Sequence, residues 1–171
     1  MRNDEANATD AADTVSICSL RVATALFGID TRQIREVLGS TRPQRVPLAP
    51  KYIAGVVPYR GEVLTTVCFR ALLGLESMTA AGCVLVLDSD NADERFGLMV
   101  DGVAGVVTMA SSELEPNPSA LDARCMALFD GAYKMPSGLM VRLDPQRLQP
   151  SRLAESGLFG ASKHERQGEQ R

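Results

Sequence analysis

The chain has 171 residues, no tryptophan, a single histidine and only 5% aromatic residues. A core so poor in aromatics must be mostly aliphatic. The histidine, His164, lies in the polar tail, so a Ser-His-Asp or Cys-His site has no base inside the fold. Cys18, Cys68, Cys83 and Cys125 are widely spaced with no CxxC, and zinc ligation lacks its pattern. Each lies in or beside an apolar run, as small buried hydrophobes in a reducing compartment do. Neither GxGxxG nor a P-loop is present, so nucleotide binding has no motif behind it. Asp88, Asp90, Asp93 and Glu94 miss the EF-hand spacing and read as a solvated turn. No metal or cofactor is expected, and no catalytic residue. No apolar run approaches the ~20 residues that cross a bilayer, and residues 1–13 lack the apolar segment of a signal peptide. A cytoplasmic protein without direct membrane insertion is expected. The net charge of −3 argues against a broad basic face for nucleic acid. Binding to protein is what remains.

Apolar residues make up 45% of the chain, enough for a core. Charge is uneven: residues 14–60 hold seven Arg or Lys against two acids, and residues 61–150 six against twelve. A basic front and an acidic back either average out on the folded surface or give a charge complement for a protein partner.

Residues 1–13 are polar and acidic and read as a disordered tail. Val15 to Leu20 alternates as a strand does, and Ala25 to Ile29 is a second strand. Asp30 then looks like an N-cap, with Gln33 completing a capping box, for a two-turn helix that buries Ile34, Val37 and Leu38 and stops at Gly39. Pro43, Pro47 and Pro50 make residues 40–52 an extended connector. Ile53 to Phe69 reads as strand, turn, strand, with Pro58 ending the first strand or starting the turn and Gly61 free to take positive φ. Tyr59 and Arg60 stand at its tip, a ring and a fork-shaped donor of the kind enriched at interfaces, and Glu36 is a solvated helix residue or one that holds Arg60 or offers charge to a partner.

In the back half, Cys83 to Leu87 is a continuous apolar strand, followed by strands at Phe96–Val100 and Val103–Met109. Cys125 to Phe129 and Leu139 to Leu143 are the last strands, joined across Asp130-Gly131. Asp144-Pro145 opens a helical turn. Residues 151–171 read as a weakly ordered extension with one apolar patch, Leu158-Phe159. Many short strands and only brief helices argue for a mainly β, barrel-like fold. Ile53-Ala54-Gly55-Val56-Val57 and Val103-Ala104-Gly105-Val106-Val107 share a pattern, which favours two similar lobes in one domain over residues 14–150, with a boundary near 76–82.

The ordered succession FGID, IREVL, RVPLAPKYIAGVVPYRGEVL, FRALLGL, FGLMVDGVAGVV and LMVRLDPQRL resembles the CheW family over about residues 15–150. The densest match is the family's G-V-I-N-L-R-G motif, present as Gly55-Val56-Val57-Pro58-Tyr59-Arg60-Gly61. The resemblance implies two small five-stranded, SH3-like β-barrels around a shared core and a non-enzymatic adaptor of chemosensory arrays. Its implied partners are the cytoplasmic tip of a methyl-accepting chemoreceptor and the regulatory domain of the histidine kinase CheA. It implies a cytoplasmic protein recruited to membrane-associated arrays. Receptor-binding residues carried over are Ile34, Glu36, Val37, Gly55, Arg60 and Gly61, with Tyr59 beside them; kinase-binding residues are Val46, Pro47 and Ala54. Pro58 and Tyr59 replace the family's Asn and aliphatic residue, and Val67-Cys68-Phe69 replaces an aliphatic-Asp-Leu ending. These departures fit an alternative, a divergent regulator that binds kinase but not receptor, for example in a pilus pathway.

Overall fold

Two strands are apolar on both faces, and the architecture follows from them. On β1 (Thr14–Val22), Val15 and Ile17 pack into one cluster with Tyr133 and Met140, while Cys18, Leu20 and Val22 join a second, larger one. On β6 (Gly82–Leu87), Val86 packs with Val57, Tyr59 and Leu64, while Leu85 and Leu87 join the same large cluster. A strand buried on both sides lies between two packed layers. One layer is its own lobe's interior and the other is a core shared by both lobes.

The computed structural model describes residues 13–77, 80–89 and 91–159. The remaining strands are β2 (Ala25–Asp30), β3 (Ile34–Thr41), β4 (Ile53–Tyr59), β5 (Glu62–Cys68), β7 (Phe96–Val100), β8 (Gly102–Ala110), β9 (Phe129–Met135) and β10 (Gly138–Leu143). Three short helices follow: α1 (Phe69–Leu72), α2 (Ala123–Leu128) and α3 (Pro150–Ser156). The fold is mainly β, as expected, in two five-stranded sheets ordered β8-β1-β2-β10-β9 and β3-β6-β7-β5-β4. The expected barrels are not closed by continuous ladders. Each open side is joined by one isolated bridge, Gln44 to Val56 in one lobe and Glu115 to Ala132 in the other.

The lobes are interleaved. β1 and β2 pair with β8 and β10, whereas β3 to β7 build the other sheet, so each sheet draws strands from before and after the segment 76–82. The parallel pairings β2·β10 and β5·β7 occupy matching places, as do the hairpins β4·β5 and β9·β10. The structural repeat therefore runs β1–β5 against β6–β10, with the last three strands of each half pairing with the first two of the other. In this correspondence β8 matches β3. The likeness of residues 53–57 to residues 103–107 thus joins non-equivalent strands, β4 and β8. The matching sequence signal is instead Phe27-Gly28 on β2 and Phe96-Gly97 on β7, where Gly28 pairs with Arg142 and Gly97 with Thr66.

Three local expectations change. Asp30 does cap, accepting from the Arg32 N–H at 2.9 Å, but the helix is one 3-10 turn, Thr31–Gln33, and Ile34–Thr41 is strand. Ile34, Val37 and Leu38 suit a helix face equally well; pairing with the apolar strand β6 decides for β structure. Residues 123–128 are helical rather than strand, because the Asp122 side chain caps the N–H of Cys125. Asp130-Gly131 then lies within β9, and the turn falls at Pro136-Ser137. Where an extension was expected, the described residues past 149 form a further helix. α3 buries Leu153, Gly157 ends it in the left-handed region, and Phe159 joins the shared core with Arg124 over its ring. Residues 1–12 and 160–171, including His164, lie outside the described residues.

The shared core is mostly aliphatic, as the composition requires. Its aromatic joint is Phe27 of one lobe meeting Phe69 of the other edge to face, ring centroids 4.9 Å apart.

Candidate partner-binding site

The β4–β5 turn has two central residues, Arg60 and Gly61, with φ of 49° and 82°. Positive φ at both positions matches the twist of the flanking strands, so the hairpin is a tight type I′ connection. Pro58 does not end the strand. It stays in register opposite Val63, on β4 at the sheet's edge, where a missing N–H leaves no inner ladder bond unmade.

Tyr59 is not displayed at the tip. Its ring is buried against Val57, Leu64 and Val86. Its hydroxyl donates to Glu36 Oε2 at 2.9 Å, and Arg60 Nη2 donates to the same oxygen at 3.0 Å. The Arg60 guanidinium also lies 5.4 Å from the centre of the Tyr59 ring. Glu36 reaches them from β3, which is not hydrogen-bonded to β4. The side chains thus link the two outer strands of this sheet. These bonds, from Tyr59 first and Arg60 second, hold the Glu36 carboxyl below its ordinary range.

The proposed receptor-facing residues fall into three groups. Glu36, Tyr59 and Arg60 touch one another, with Gly61 exposed beside them. Val37 is exposed next to Glu36 on β3. Ile34 is drawn away: a register shift between it and Glu36 directs it to the shared core, while Leu38 packs in the lobe interior. Gly55 is buried. Its φ of 143° and its lack of a side chain let the Gln44 carbonyl sit against β4, so it shapes the surface without presenting an atom to it. Val46 and Pro47 are exposed in the connector, and Ala54 is half-buried on β4. A cleft of about 230 Å³ adjoins the tip, lined by Tyr59, Glu62, Val63, Leu64, Asp93 and Arg95.

Three features were not foreseen from the sequence. Val63, beside the tip, is strongly exposed. Leu48 is fully exposed in the connector, and Pro47 before it was the available signal. Arg70 on α1 makes a two-pronged ion pair with Asp101, both bonds 2.7 Å, and Asp101 also accepts from the Ala23 N–H at 2.7 Å. The four cysteines are free thiols, two buried and two half-buried, and burial pushes those of Cys18, Cys83 and Cys125 up. Among the described residues no cluster of His, Cys, Asp or Glu is arranged to hold a metal, and no helix is long and apolar enough to cross a membrane.

A family model described as CheW-like domain matches residues 16–152. The chain is 29% identical over 102 residues to the chemotaxis protein CheW of Rhizobium meliloti, covering 60% of this chain and 66% of that protein's length. It is 19% identical over 142 residues to the chemotaxis protein CheW of Treponema pallidum, covering 80% and 82%. The crystal structure of the scaffolding protein TtCheW from Thermoanaerobacter tengcongensis shares the fold, with a TM-score of 0.67 and 20% identity over 76% of this chain and 88% of that one.

Proposed function

Because the chain belongs to the CheW-like domain family, we propose that it is a non-enzymatic adaptor joining a chemoreceptor's cytoplasmic tip to the regulatory domain of the histidine kinase CheA. The observation that carries this reading is the tip of the β4–β5 hairpin. Arg60 is oriented by Glu36 and by the Tyr59 ring yet remains two-thirds exposed, at 66%. An arginine anchored on one side and open on the other suits a partner that offers a carboxylate or carbonyl groups.

A receptor helix laid against this surface would meet Val37 and Val63 as apolar contacts and Arg60 as the directional one. The kinase is assigned to the connector surface around Val46, Pro47 and Ala54. Both partners act in the cytoplasm on this reading, with the adaptor held at membrane-associated arrays. Affinity per contact is modest, and the array supplies multivalency.

Separate titrations with the cognate receptor tip and the kinase regulatory domain test the proposal. Saturable binding of both is expected. Failure to bind either sinks the adaptor reading, and kinase binding without receptor binding turns the protein into the divergent regulator. The intact hairpin removes much of the motive for that alternative, since Pro58 and Tyr59 are accommodated without loss of register.

A further inference from the structure

Leu48 rests on nothing of its own protein. It is fully exposed, at the tip of a turn that Ala49 closes by donating its N–H to the Val46 carbonyl at 3.3 Å. Pro47 takes the second position of this turn and Leu48 the third, with φ of 62°. A positive φ at that position suits glycine or asparagine, and a leucine there is strained. An exposed leucine alone is ordinary on a protein surface. One held in the left-handed region, between Pro47 and Pro50, is not.

The loop that carries it is stiff. Pro43, Pro47 and Pro50 restrict it, and its base is pinned by reciprocal backbone bonds between Gln44 and Val56 at 2.8 and 2.9 Å. Ile53 closes the far end by donating to the Pro50 carbonyl at 2.9 Å. Charge gives the partner's character. Residues 37–61 contain no acid, and Arg42, Arg45 and Lys51 flank the knob. Among the described residues neither Arg45 nor Lys51 makes an ion pair, and both are exposed.

We propose that Leu48 is the anchor of the kinase-facing surface, seated in an apolar socket rimmed by carboxylates on the kinase regulatory domain. The inference rests on the adaptor reading and adds the side chain and the partner chemistry to it. A preformed knob loses little freedom on docking, so its apolar area counts more fully toward affinity. Arg45 and Lys51 meet the acidic rim, which steers encounter and makes it sensitive to salt.

Leu48→Gly and Leu48→Asn both accept the turn's backbone while removing the knob. Expected are a Tm higher by about 2–4 °C, from relief of the strain, and kinase-domain affinity lower by about tenfold or more in calorimetry. Receptor-tip affinity is expected to stay at the parent value. Arg45→Ala with Lys51→Ala should slow kinase-domain association and flatten its salt dependence. Parent-like kinase affinity in both Leu48 variants overturns the anchor and leaves the adaptor reading standing. Equal loss toward receptor and kinase overturns it too. If the parent protein binds no kinase domain, the adaptor reading fails, and this inference falls with it.

Discussion

Glu36 is a carboxylate whose one oxygen, Oε2, accepts from both Tyr59 and Arg60. Tyr59→Phe removes the larger cause of its lowered pKa and leaves the ring in its cluster. The Glu36 pKa should then rise toward the ordinary carboxylate value, as NMR titration of the side-chain carbon would show; an unchanged value would mean the hydroxyl does not reach it. Arg60→Ala should leave Tm near the parent's, since the ion pair is exposed at both ends. Receptor-tip affinity should fall by about tenfold. Unchanged affinity in a folded variant removes the hairpin's role. Tyr59 also shows what residue type alone conveys. Its place at a Pro-Tyr-Arg-Gly turn suggested display, but Glu36 supplies a partner for the hydroxyl, and the ring is then free to be buried.

Two elements close the lobes, and each depends on one glycine. Gly55 has φ of 143° and Gly131 of 132°, and a Cβ on either would collide with a backbone carbonyl, that of Gln44 or Glu115. Gly55→Ala and Gly131→Ala should each cost about 2–4 kcal/mol in urea denaturation, through strain and a lost bridge. Gly105, with a similar φ but open space around it, is the control and should cost less when changed to Ala. Equal losses at all three sites would show that backbone strain alone, without the bridge, explains the effect. Strands β1, β4, β5 and β6 were legible because alternation or an unbroken apolar run is a local signal. β3 was not, because Ile34, Val37 and Leu38 satisfy a helical spacing and only the distant partner β6 overrules it. The pairing of Glu36 with Arg60 was legible from charge; the burial of Gly55 was not, since it depends on Gln44 in a loop of no regular pattern.

At the scale of the molecule, Asp101 ties the lobes together. It joins Arg70, which follows β5, to the turn between β1 and β2, where Ala23 has φ of 53°. The Arg70 guanidinium first, and the Ala23 N–H with it, hold the Asp101 carboxyl below its usual range. Arg32 does the same for Asp30. A carboxyl depressed in the folded state adds stability that is fully present above its unfolded value, about pH 4. That contribution is lost as pH falls through the lowered folded values. Asp101→Asn should cost about 1–3 kcal/mol at neutral pH, and its stability should fall less steeply in acid than the parent's. Parallel pH curves for parent and variant would show that Asp101 does not carry the dependence. The interleaving of strands has a further consequence, one of time. As the chain leaves the ribosome, β1 and β2 emerge well before the strands that flank them, β8 and β10. The sheet that holds β1 and β2 therefore cannot be completed until β10 has been made, and that long-range pairing is a slow step of folding.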